Sequence, residues 1–225
     1  MNETKWIIAN WKSNKTISEA LEWVSQVGPQ VPKADWLKVV VCPPFSALSE
    51  VKKAIMIGNF PFLVGSQDLS PFDSGVYTGE ESAQILKELV SLSILGHSER
   101  RQNFSETDEM IAKKTQKAKE SDILPLLCVQ GAETPVPAGC RLVAYEPIFA
   151  IGTGNPDTPK NANQVAEVLR NSYGQDLEVL YGGSVTSGNV KAFLDEPNIS
   201  GVLVGKASLD AFEFAKICKI VGEKI

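Results

Sequence analysis

Residues 141–154 read RLVAYEPIFAIGTG. Arg141-Leu142-Val143-Ala144-Tyr145 is apolar at successive positions, not at alternate ones. Strands buried on both faces read this way, and parallel sheets are built from them. Glu146 ends the run, and a carboxylate at the end of a buried strand must be solvated, paired or put to use. The following Ile148-Phe149-Ala150-Ile151 is too apolar for a simple solvated connection. Such a loop closes over something and excludes water.

Seven further β-rich runs recur along the chain, and most share this character. Together the eight are residues 6–9, 37–42, 62–65, 92–95, 124–129, 142–145, 177–181 and 201–204. Helical patterns alternate with them. In residues 17–27, Ile17, Ala20, Leu21, Val24 and Val27 fall on one face. Residues 46–57 follow the strand stop Pro43-Pro44. In residues 80–90, Ala83, Leu86 and Val90 share a face. Residues 107–120 have Ser105 as a candidate cap and Asp108 and Glu109 in the first turn. Pro159 opens a helix running to Tyr173, and residues 186–194 and 209–223 complete the set. This alternation predicts an α/β fold, a closed eight-stranded parallel (β/α)8 barrel in one domain over residues 1–225.

One crossover breaks the pattern. Residues 130–140, QGAETPVPAGC, contain Pro135, Pro137 and Gly139. Proline breaks the helical ladder and pushes the preceding residue extended. The fifth helix is therefore expected to be missing or reduced to a short turn.

Composition bounds the function. The chain has 225 residues, 43% of them hydrophobic, which is enough for a large core and argues against disorder. A net charge of −5 makes it a poor nucleic-acid binder. His97 is the only histidine, so a multi-histidine metal site is excluded, and no metal or cofactor is expected. Cys42, Cys128, Cys140 and Cys218 are widely spaced and read as reduced core thiols. The N-terminal apolar stretch is too short for a signal peptide, and no run reaches ~18 apolar residues, so a cytoplasmic protein with no membrane association is expected.

In a parallel barrel, chemistry gathers at the C-terminal ends of the strands. Asn10 and Lys12 follow the first strand. Spaced two apart, they point to one side of an extended chain, or they are a turn former and a solvated lysine. His97 and Glu99 follow the fourth strand beside Arg100 and Arg101. They form either a local salt-bridged turn or an imidazole aimed into the barrel mouth. Glu146 follows the sixth strand. Gly182-Gly183-Ser184 follows the seventh and Gly205-Lys206 the eighth, where barrels hold phosphate on backbone amides.

Asn10-Trp11-Lys12, Gly96-His97-Ser98-Glu99-Arg100-Arg101, Ala144-Tyr145-Glu146-Pro147, Ala150-Ile151-Gly152-Thr153-Gly154 and Tyr181-Gly182-Gly183-Ser184-Val185 together resemble the triosephosphate isomerase family. The match runs in order from Trp6 to near the C-terminus and is weakest over residues 130–140.

The resemblance implies interconversion of dihydroxyacetone phosphate and glyceraldehyde 3-phosphate without a cofactor. This family is a standard illustration of paired acid/base chemistry, so the roles are carried over from it. Glu146 matches the base, His97 the neutral electrophile, Lys12 the cation near the developing oxyanion, Asn10 a further polar contact and Glu99 a supporting carboxylate. Gly152, Ser184, Gly205 and Lys206, with Gly182 and Gly183, match the phosphate site. Gly75-Val76-Tyr77-Thr78-Gly79-Glu80 resembles a loop that enters a partner subunit, with Thr78 supporting the partner's site, so a homodimer is implied.

Three departures stand out. Phe149 replaces a usual tryptophan, and Lys206 replaces a glycine. Gln130-Gly131 follows Cys128-Val129 where a Gly-Glu pair is usual, although Glu133 lies close by. Two rivals remain at this level: a different sugar-phosphate isomerase on the same barrel, and a scaffold that kept the fold without turnover.

Overall fold

The computed structural model describes residues 3–150 and 154–223. Its strands are β1 (Lys5–Asn10), β2 (Leu37–Cys42), β3 (Leu63–Ser66), β4 (Leu92–Leu95), β5 (Leu124–Val129), β6 (Leu142–Tyr145), β7 (Glu178–Tyr181) and β8 (Gly201–Val204). They close in sequence order into one barrel, every neighbour parallel and β1 paired with β8. The helices are α1 (Ile17–Val27), α2 (Leu48–Ile57), α3 (Ala83–Leu86), α4 (Ser98–Asn103), α5 (Asp108–Glu120), α6 (Pro159–Tyr173), α7 (Val190–Leu194) and α8 (Ala211–Gly222). Among the described residues, no helix is long and apolar enough to cross a membrane.

The unbroken apolar runs now have a physical reason. Ile8, Val40, Leu92, Leu126, Leu142, Leu180 and Leu203 form one buried cluster filling the barrel. Their strand neighbours Ile7, Val39, Val41, Val143, Val179 and Val202 belong to a second cluster shared with the helices. Over most of their length both faces of the strands are dry, which selects apolar residues on each face, and the buried Ser66 and Ser93 bond each other. Each buried Leu or Ile contributes about 1.5–3 kcal/mol against leaving it in water. The barrel interior is therefore a packed core with no room for a channel.

Caps fix where several helices begin. The Thr16 side chain accepts from the Glu19 amide, and Glu19 reaches back to the Thr16 N–H at 2.7 Å. Thr158 accepts from the Asn161 amide, with Pro159 in the first turn of α6. For α5 the cap is Thr107, which accepts from the Met110 N–H at 3.3 Å. Ser105 lies two residues too early for that bond and adopts φ +54 in the preceding loop. Two helices are shorter than the apolar pattern suggests. In residues 80–90 only Ala83–Leu86 is helical, and in 186–194 only Val190–Leu194. The Asn189 side chain accepts from the Thr186 N–H at 2.8 Å, an alternative to helix that delays the start of α7. The helix α4, SERRQN, has no apolar period that would reveal it in the sequence.

No helix lies between β5 and β6, as the prolines require. Turns fill residues 130–141, where the Thr134 hydroxyl accepts from the amides of Gln130 at 3.1 Å and Gly131 at 3.3 Å. Val136 and Cys140 pack onto the outer core in place of helix side chains. All four cysteines are free and buried, and burial pushes the Cys42, Cys128 and Cys218 thiols up.

A charged cluster ties the chain beyond β3 to the two helices that follow β4. Lys114, only 2% exposed, donates to Asp68 at 2.7 and 2.8 Å and also to Glu106. Arg100 reaches Asp68 at 2.9 Å and Glu106 at 3.1 Å. Burial pushes the Asp68 carboxyl up to about 6 against the pull of Lys114 and Arg100. Burial opposes ionisation of Glu106 as well, but hydrogen bonds from Lys114 and Arg100 hold it below its ordinary value. Two cations thus balance two carboxylates. Removing one cation leaves a buried charge uncompensated, which costs about 3–5 kcal/mol. Lys114→Ala is expected to lower unfolding stability by that amount in a urea titration. A loss under about 1 kcal/mol would mean that water or the remaining arginine compensates.

Candidate active site

The C-terminal rim of the barrel opens into a cleft of about 760 Å³. Asn10, Lys12, His97 and Glu146 line it together with Gly182, Gly183, Ser184, Gly205 and Lys206. The strand ends deliver these residues from β1, β4, β6, β7 and β8. Glu99 is held at the edge through Lys12. Thr78 does not line the cleft; it stands on the exposed 75–80 turn. Gly152 lies outside the described residues.

Lys12 adopts φ +53, a left-handed conformation that costs an L-residue roughly 1–2 kcal/mol. Its surroundings over-determine it. The Lys12 N–H donates to Asn10 Oδ1 at 3.0 Å, and Gln67 Nε2 donates to the Lys12 carbonyl at 2.8 Å and to the Cys42 carbonyl at 2.9 Å. The ammonium pairs with Glu99 Oε1 at 2.5 Å. Asn10 therefore works as a backbone anchor as well as a cleft residue. Gln67 escaped sequence reading, although it sits one position past β3 and the strand-end rule would have nominated it.

His97 caps α4: its Nδ1 accepts from the Glu99 N–H at 3.2 Å. A nitrogen that accepts an N–H carries no proton itself, so the neutral ring holds its hydrogen on Nε2. Nε2 stands 3.1 Å from Glu146 Oε1. The other oxygen of Glu146 accepts from the Ser98 N–H at 3.1 Å. Glu146 is only 1% exposed, and these two donors satisfy it. Gly96, at φ +66, makes the turn from β4 into α4 that aims the ring and the Ser98 amide this way. Arg100 and Arg101 do not pair with Glu99. They bind Asp68, Glu106 and Asp108, so the turn is braced from outside the cleft.

Around the loop that follows β6, Glu146 N–H donates to the Val129 carbonyl at 2.8 Å, and a short 3-10 helix spans Ile148–Ala150. Ser184 Oγ donates to the Ala150 carbonyl at 2.8 Å. Beyond the loop, Asp157 accepts from Tyr145 OH at 3.2 Å and donates its N–H to Tyr181 OH at 2.8 Å. This clasp was not foreseen, because nothing in the spacing of Asp157 marks it. Lys206 opens a 3-10 helix over Lys206–Leu209 with a φ that is not positive. A side chain is therefore tolerated there and the amide keeps its donor.

A model of the family described as triosephosphate isomerase matches residues 5–221. The chain belongs to the triosephosphate isomerase family. It is 40% identical to the triosephosphate isomerase of Caldanaerobacter subterraneus subsp. tengcongensis, covering 94% of this chain and 97% of that one. The Thermoanaerobacter pseudethanolicus protein of the same name is 41% identical, with the same coverage of 94% and 97%. The crystal structure of triosephosphate isomerase from Bartonella henselae superposes with a TM-score of 0.83 at 28% identity, covering 96% of this chain and 98% of that one. The reaction of this chain is that of its family, the interconversion of dihydroxyacetone phosphate and D-glyceraldehyde 3-phosphate, a step of glycolysis.

Close packing at Gly182 provides a test of this geometry. A Cβ there would stand 2.9 Å from Glu146 Cγ and 3.2 Å from the Tyr145 carbonyl oxygen. Gly182→Ala is expected to displace the carboxylate by a fraction of an ångström or more. Misplacement on that scale costs on the order of 100-fold in turnover. The check is kcat in a coupled isomerase assay beside a thermal melt. An unchanged kcat in a folded variant would mean that the position of Glu146 does not matter.

Proposed function

We propose that Glu146 is the base that moves a proton between the two adjacent carbons of the triose, with His97 and Lys12 stabilising the enediolate. The observation that carries this reading is convergence. A carboxylate, a neutral imidazole with its proton on Nε2 and an ammonium, from three distant parts of the chain, border one cleft. A carbon acid beside a carbonyl is weak, so the charge that develops on oxygen must be met by donors already in place. His97 Nε2–H is such a donor, and Lys12, steadied by Glu99 and by its own backbone anchors, is the cation.

In the described conformation, Glu146 spends both oxygens on His97 and the Ser98 amide. It must leave them to reach a substrate carbon, and its release frees Nε2–H for the substrate oxygen. Ile148 and Phe149 are 51% and 62% exposed, so closure of this loop would bury apolar surface and shed water from the cleft. The amides of Gly205 and Lys206, the Ser184 hydroxyl and the backbone at Gly182 and Gly183 hold the phosphoryl group. Gly152, outside the described residues, is the further phosphate contact that the family resemblance implies. Phosphoryl binding takes no part in the proton transfers, but its energy favours closure.

We further propose one barrel domain, a cytoplasmic location and a homodimer built on the 75–80 turn. Val76 at its tip is 97% exposed. Phe72 and Tyr77 stack at 4.3 Å beneath it and are themselves partly exposed. An apolar, internally braced protrusion of this kind fits a second copy of the chain, where Thr78 would support the partner's site.

Glu146→Gln is expected to lower kcat by roughly 10²–10⁴-fold in a coupled assay on glyceraldehyde 3-phosphate, because a positioned base contributes about that much. Turnover at the parent rate would remove Glu146 from the mechanism. Light scattering is expected to give twice the chain mass of 24.4 kDa, and Val76→Asp to shift it toward the single-chain value. A monomer that is fully active before mutation would refute the dimer.

A further inference from the structure

We infer that the Lys206 ammonium is an additional anion-binding group of this cleft, which closes on the phosphoryl dianion and sets how tightly phosphate-bearing molecules are held. The inference rests on the isomerase reading above and adds a charge to a phosphate site otherwise composed of amides and a hydroxyl.

Position is the first argument. Lys206 lines the same cleft as Lys12, His97, Glu146 and Ser184. The residue before it, Gly205, lies so close to Lys12 that a Cβ built there would stand 3.8 Å from Lys12 Cε. The 205–206 segment thus flanks the catalytic lysine.

The second argument is the state of the neighbouring charges. Lys12 is paired with Glu99 at 2.5 Å, and Glu146 with His97 at 3.1 Å. Two more carboxylates line the cleft, and both are engaged. Asp210 caps α8 by accepting from the amides of Phe212 at 2.9 Å and Glu213 at 3.0 Å. Glu213 accepts from the Ser187 N–H at 2.6 Å and its hydroxyl at 3.0 Å. Lys206 is exposed and makes no ion pair or hydrogen bond with any described residue. It is the cation of the cleft with donors to spare.

The third argument is what such a cation does to this ligand. A phosphoryl dianion presents oxygens in several directions, and a lysine offers three donors on a flexible stem that can follow them. The chain carries a net charge of −5, so its distant field repels a dianion. A local unpaired cation at the cleft mouth counters that repulsion where capture happens, and the benefit is screened by salt. The ammonium meets the phosphoryl group in ground state and transition state alike, so it acts on KM more than on kcat.

The test compares the parent protein, Lys206→Ala and Lys206→Arg. KM for glyceraldehyde 3-phosphate and the competitive inhibition constant for inorganic phosphate are measured from low to high ionic strength. Lys206→Ala is expected to raise both constants roughly fivefold at low salt, the scale of an exposed charge contact, with a smaller change in kcat. Lys206→Arg should restore most of the loss, and the variants should converge at high salt. Unchanged constants and an unchanged salt slope in Lys206→Ala would overturn the inference, as would a loss confined to kcat. A parent protein without turnover would instead defeat the isomerase reading. Calorimetric titration of inorganic phosphate into the parent and Lys206→Ala would then still decide the role of Lys206.

Discussion

Each strand of the barrel runs the same way as its two neighbours, and ladder register fixes where each one stops. With all eight parallel, every C-terminal end emerges on one rim. The residue after a strand is therefore placed by backbone hydrogen bonds made along the whole strand. Glu146 illustrates this: its N–H continues the ladder to the Val129 carbonyl, so the backbone beneath the carboxylate belongs to the sheet. Its side chain lies beyond the ladder and is held there by His97 and the Ser98 amide. If Glu146 is the base proposed above, a fixed root of this kind keeps its position accurate through closure.

Beyond the ladder, polar anchors hold what the sheet does not reach. Lys12 sits two residues past the end of β1 in an unfavourable left-handed conformation, and bonds with Asn10, Gln67 and Glu99 keep it there. The helix α4 is too short to stand alone, but His97 caps it and Arg100 docks it into the buried cluster of Asp68, Glu106 and Lys114. The imidazole is oriented twice over, by the amide on its Nδ1 and by the cluster that fixes its helix. A static arrangement of donors before substrate arrives is what electrostatic stabilisation of an enediolate requires.

The barrel was legible because burial on both faces leaves a distinctive mark: strands without alternation, as in Leu37–Cys42 and Leu124–Val129, whose bounds agree with the apolar runs. The polar residues at the strand ends were legible for the same reason, since they break those runs abruptly. What escaped notice has no such mark. The helix α4 is polar throughout, and its existence depends on a cap and an ion cluster contributed from elsewhere. Gln67 and Asp157 act through backbone and phenol partners far away in sequence. Thr107, and not Ser105, caps α5 because only one of two nearby hydroxyl residues can reach the amide of the third helical residue, a distinction of two positions that composition does not carry.

The shortened fifth unit shows which parts of a barrel are dispensable. Its outer helix is absent, yet β5 keeps full pairing with β4 and β6. The loop supplies Val136 and Cys140 to the outer core, Thr134 satisfies two of its amides, and Lys119 reaches the Ala138 carbonyl at 3.2 Å. Apolar cover and satisfied backbone are what the strand demands of its surroundings, and a turn of the right composition provides both. The site needs from β5 only the Val129 carbonyl under Glu146 and the Cys128 side chain beside it, and both come from the strand itself. The inner barrel and its rim therefore form a unit that tolerates loss from the outer ring, provided that the strand ladder stays closed.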